Sequence, residues 1–223
     1  MNEHFRPTAP GLSRILPAAL AGALVACGGL TQPVPTVAGI VEGWPAEAGT
    51  VQATLPARGD RPTVPLSQGA INAAGRFSLP LPDPASVEPF LGGPGTGECG
   101  SGLTVSPTGL RTVSLLVTVF NASGRAAGLI EQRTTVAVRE GSRVVLRLYA
   151  DRAGTVTGTC VGRGLNERLD LWLVWGWNTA VFEKTAGDTA SLTSVAQPPA
   201  DARWFLDPAT VQALRFGLPG PGR

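Results

Sequence analysis

From Val37 onward the chain alternates apolar and polar residues with a period of two. Val113, Leu115, Val117 and Val119 interleave with Thr112, Ser114, Leu116 and Thr118, the pattern of a strand that buries one face. Phe77, Leu79 and Leu81 repeat it after Asn72-Ala73-Ala74-Gly75, a turn that pairs them with the stretch ending at Ile71 as a hairpin. Further strands are predicted over 37–43, 49–55, 129–140, 143–149, 155–161, 169–175 and 180–184, with turns at Trp44-Pro45, Asn121-Ala122-Ser123-Gly124 and Glu140-Gly141. Short strands with turn signals about every eight to twelve residues predict an all-β fold, a sandwich or a barrel, of which the antiparallel β-sandwich, Ig-like or transthyretin-like, is the expectation here. One short C-terminal helix is also predicted. Asp207 caps it, Pro208 takes its first position, Gly217 stops it, and Val211 and Leu214 share its buried face. The Gly- and Pro-rich stretch 82–102 is predicted as a long loop carrying Cys99. The chain has no strict internal repeat.

The first residues follow a different rule. Arg6 and Arg14 outweigh Glu3 ahead of an apolar run, Ile15 to Ala26, that contains Pro17. A bilayer-spanning helix needs roughly 20 apolar residues, so the run fits a signal-peptide core better than a retained anchor. Leu24-Val25-Ala26-Cys27 closes it and resembles the lipobox of bacterial lipoprotein signal peptides. The resemblance implies that residues 1–26 are removed and that Cys27 carries a diacylglycerol thioether and an acylated amine. Each methylene buried in the membrane then contributes about 0.8 kcal/mol, so two or three chains anchor firmly. Residues 27–37 become a flexible tether, kept extended by Pro33 and Pro35 and at most ~30 Å long. Residues 38–223 become the β-sandwich domain. Gly28, standing where an inner-membrane retention signal has Asp, favours the outer membrane in a host with two.

Composition narrows the chemistry. About 200 residues remain after the leader, enough for one domain with a real core. The formal charge is +2 for the whole chain. It becomes +1 once Arg6, Arg14 and Glu3 leave, which gives no footprint for nucleic acid. Cys99 and Cys160 remain as an even pair in an exported, oxidising compartment and are expected to form a disulfide. Closing that loop stabilises by ~4 kcal/mol in the chain-entropy picture. The one histidine, His4, lies in the leader. Its loss leaves no Ser-His-Asp or Cys-His nucleophile and no ordinary zinc site. Lys184, the lone lysine, has no serine three residues upstream. No metal or other cofactor is expected.

Gly95-Thr96-Gly97-Glu98-Cys99-Gly100 matches Gly-x-Gly-x-x-Gly. It is preceded by loop and followed by strand-like Leu103-Thr104-Val105, whereas a dinucleotide site needs strand before and helix after. It therefore reads as loop. The carboxylates Glu131, Glu140, Asp151, Glu167 and Asp170 offer material for a glycosidase pair, but spacing along strands does not give the separation such a pair requires.

Trp172, Trp175 and Trp177 cluster, and exposed indoles offer flat faces to sugar rings. Alternation places Trp175 on the Leu171/Leu173 face and so in the core, and Trp172 on the Asp170 face. Trp172 and Trp177 are the candidate ligand platform.

The strand Leu169–Leu173, then Gly176-Trp177-Asn178, a further strand and a late Trp204-Phe205 resemble small exported bacterial lipoproteins of unknown function. The first half is also similar to transthyretin-type and carboxypeptidase-regulatory β-sandwich modules. These resemblances imply a fold and a location but no activity. The sequence thus points to a lipid-anchored cell-envelope protein, outside the cytoplasm, that binds or supports and does not catalyse. Its partners are the membrane and an envelope protein or polysaccharide. The alternatives are a carbohydrate-binding lipoprotein and a carboxylate glycosidase.

Overall fold

The computed structural model describes residues 35–55, 64–94, 99, 102–162 and 165–207. Within them the chain is nearly all strand, as expected. The first strands are β1 (Thr36–Glu42), β2 (Gly49–Thr54), β3 (Pro65–Ile71) and β4 (Arg76–Pro80). After a one-turn helix α1 (Pro84–Val87) come β5 (Leu103–Ser106), β6 (Thr112–Ser114), β7 (Leu116–Asn121) and β8 (Ala126–Arg133). The last six are β9 (Arg143–Ala150), β10 (Gly154–Gly162), β11 (Leu165–Leu173), β12 (Gly176–Lys184), β13 (Thr189–Val195) and β14 (Arg203–Asp207).

The expected sandwich gives way to a closed ring. Seven strands follow one another in hydrogen-bond order β1, β4, β3, β2, β7, β8 and β14, and β14 returns to β1. The closing strand is antiparallel to β8 over five residue pairs and parallel to β1 through Val41–Trp204 and Glu42–Phe205. A sandwich leaves each sheet two edges, whereas closure removes them. Inside lies a core in which Val51, Leu55, Ile71, Leu79 and Val119 are essentially inaccessible. Trp204 fills the ring at the closing seam, edge-on to Phe77 with centroids 5.1 Å apart. Gly39 makes room for it: a Cβ there would clash with Trp204 Cδ1 and Nε1.

The second half continues from β8 through Gln132–Val145 and Arg133–Val144 into the order β9, β12, β13, β11, β10, β5. β6 pairs with β9 on the edge that also meets β8. This sheet must curl. Ala150 and Gly154 are joined by three residues, a reach of about 14 Å at most. Their strands, β9 and β10, stand four spacings apart in the sheet, about 19 Å if it were flat. The curl encloses a second core of Leu148, Val156, Leu169, Leu171 and Leu173, with Leu110 inserted from the β5–β6 connection. Cys99 and Cys160 are joined in a disulfide that fastens the segment ahead of β5 to β10.

Local departures from the expected elements have visible causes. The stretch 112–121 breaks at Leu115, whose N–H donates to Arg147 O at 2.8 Å. That break lets its first residues pair with β9 and its last with β2 and β8. The strand expected over 129–140 runs instead over Ala126–Arg133. It ends where Ser142 Oγ takes up Arg139 N–H and Thr135 Oγ1, both at 2.7 Å. The loop expected over 82–102 holds α1, because Asp83 Oδ1 accepts the Ala85 N–H at 2.9 Å and Pro84 starts the turn. Asp207 ends β14. The expected C-terminal helix, the leader with Cys27, and most of the Gly-rich motif at 95–100 lie outside the described residues.

Candidate functional site: an exposed tryptophan arch

β11 runs parallel to β13 and β12 antiparallel to it, so β13 lies between two strands that are consecutive in sequence. The connection, Val174 and Trp175, therefore arches over the end of β13. Asn178 ties it down. Its Oδ1 accepts the Val174 N–H, and its Nδ2 donates to Val174 O and to Gly176 O, all at 2.9 Å. Gly176 sits at φ +97° with open space around its Cβ position. Glycine is needed there for the backbone angle, not for room.

The three tryptophans of this segment take different places. Trp172 is 70% exposed on the Asp170 face of β11. Its indole is oriented by a hydrogen bond from Nε1 to Asp170 Oδ1 at 3.2 Å, and its N–H donates to Ser194 Oγ. Trp175, expected in the core, is 64% exposed with Val174 beside it. The strand ends at Leu173, so alternation no longer dictates where the next side chains go. Trp177, expected beside Trp172 as a platform, turns towards the first core. It packs edge-on to Tyr149 at 5.3 Å, and its Nε1 donates to Pro82 O at 3.0 Å. The register also places Thr155 and Thr157 of β10 and Thr193 of β13 on the face of Trp172 and Asp170, giving an indole among hydroxyls.

The carboxylates whose pKa the fold shifts are paired with arginine or stand in different halves. Asp151 accepts from Arg111 N and Nε at 2.9 Å and from Arg152 Nη2 at 3.0 Å. Desolvation alone would raise its pKa, but the hydrogen bonds from Arg152 and Arg111 outweigh it and bring the pKa down to about 2. Burial holds the Glu131 carboxyl above its usual range, with Arg133 opposing and Asp207 adding to the rise. Burial also raises Glu167. These two carboxylates stand in different halves, on β8 and β11. At the junction of β7, β8 and β9 a partly open space of about 60 Å³ is lined by Leu116, Ile130, Leu146 and Arg147. Arg147 is held there by bonds to Thr179 Oγ1 and Gln132 Oε1 at 3.0 and 3.2 Å. Among the described residues no cluster of three His, Cys, Asp or Glu could hold a metal ion, and no helix is long and apolar enough to cross a membrane.

Sequence reasoning found Trp172 and missed Val174, Trp175 and the Asn178 clamp. The signal was Gly176, a strand breaker directly after two large apolar residues. No family model, curated protein or solved structure matches the chain.

Proposed function

We propose that this is a lipid-anchored protein of the cell envelope, held outside the cytoplasm through acyl chains on Cys27, that works by binding or as a structural element and not by catalysis. In a host with two membranes the outer one is its site. The lipobox-like Leu24–Cys27 supports the anchor. The observation that carries a binding role is the Trp172–Trp175 arch. It holds three large apolar side chains, each more than 60% exposed, on a backbone clamped by Asn178. Exposed apolar patches on a folded body mark contact surfaces. A second reading, carbohydrate binding, draws on the oriented Trp172 indole among threonine hydroxyls.

The test is intact mass and membrane fractionation of the native protein against Cys27→Ala. Added acyl mass and membrane association are expected in the wild type, with both lost in the variant. A soluble, unmodified wild-type protein overturns the reading.

A further inference from the structure

We propose that Val174 and Trp175 form a membrane-facing tip, which enters the interfacial layer of the bilayer that holds the acyl chains of Cys27. The proposal rests on the lipoprotein reading and adds where the folded body meets the lipid.

Pro35 is the first of the described residues. Pro35 O accepts the Leu81 N–H at 2.7 Å, and the next residue, Pro82, offers its carbonyl to Trp177 Nε1 at 3.0 Å. Trp177 is two residues from Trp175. Two hydrogen bonds therefore link the start of β1 to the base of the arch. Pro35 lies eight positions after Cys27, a contour of at most about 28 Å. A cysteine held in lipid keeps the start of β1, and the arch linked to it, within that reach of the surface.

The chemistry of the tip suits lipid better than sugar or water. Residues 172–178 carry no charge, and Trp is the side chain that favours the headgroup level, with its apolar body and polar edge. Sugar recognition needs free polar groups beside the ring. At the tip the Val174 N–H and C=O are both already taken by Asn178. The clamp also fixes the arch before contact, so little conformational freedom is lost on insertion.

The experiment uses the full-length protein in phospholipid vesicles with brominated acyl chains, which quench nearby indoles. Wild type is compared with Trp175→Thr, an exposed substitution whose fold is checked by an unchanged melting temperature. Quenching of the wild type, with most of it lost in Trp175→Thr, is expected. Acylated protein that is unquenched, or quenched equally in both forms, overturns the tip and leaves the anchor standing. Intact mass of the same sample reads the anchor separately. If Cys27 carries no lipid the anchor falls, and the tip stands or falls on whether vesicles still quench Trp175. A Trp175 emission shift on adding cell-wall polysaccharide, without any response to lipid, overturns the tip and assigns the arch to a glycan.

Discussion

The two halves of the molecule close in different ways. The first is sealed by hydrogen bonds: β14 inserts between β1 and β8, and every strand of the ring has two neighbours. The second curls, among the described residues, without a ladder to join its margins. Short connections, the Leu110 plug, the Arg111–Asp151–Arg152 cluster and the Cys99–Cys160 bridge hold it instead. Hydrogen-bonded closure depends on one large side chain fitting the seam, and stapled closure depends on several small devices. Lesions should therefore be sharp in the first half and graded in the second.

Trp204→Ala should show the largest effect. It empties the seam above Gly39 and removes the Phe77 contact, at a cost of about 3–5 kcal/mol. Urea denaturation should record the loss, and hydrogen exchange should rise first in β1, β4 and β14. Equal acceleration in β5 and β10 would show that the halves do not close independently. Next comes the pair Cys99→Ser with Cys160→Ser, expected to cost about 2–4 kcal/mol. Here exchange should rise in β5 and β10 while β1 and β4 stay protected. A smaller effect, sensitive to pH, is expected at Asp151. Its pKa in the fold, about 2, lies below the ordinary 3.8. Its ionised form therefore stabilises the protein fully above about pH 4, and that contribution is lost as pH falls towards 2. Melting temperatures across that window should fall less steeply for Asp151→Asn than for the wild type, with the variant less stable at pH 7.

Where burial has one face, the sequence displays it. Phe77, Leu79 and Leu81 are buried as their alternation requires, and so are Leu171 and Leu173 with Trp172 left outside. The choice of ring over sandwich was not legible because the closing contact joins Val41 to Trp204, and local periodicity carries no information about a partner so distant. β13 was missed for another reason. In Thr189–Val195 only Ala190 and Leu192 are buried, too short an apolar pattern to mark a strand until its two flanking strands are known. The site was half legible. Trp172 followed from alternation, but Trp175 lies past the last strand residue, where the Asn178 clamp and the Gly176 backbone angle decide the outcome.

The pairing of β1 with β14 also sets an order in time. β1, the first of the described strands, finds one of its two neighbours only once residues 203–207 have followed it. Until then β1 and β8 each present an unpaired edge, open to other chains. A nascent or truncated chain that stops short of Trp204 therefore holds an unfilled, open-sided ring. The seam that makes the finished half so well sealed makes its precursor the most vulnerable form of the protein.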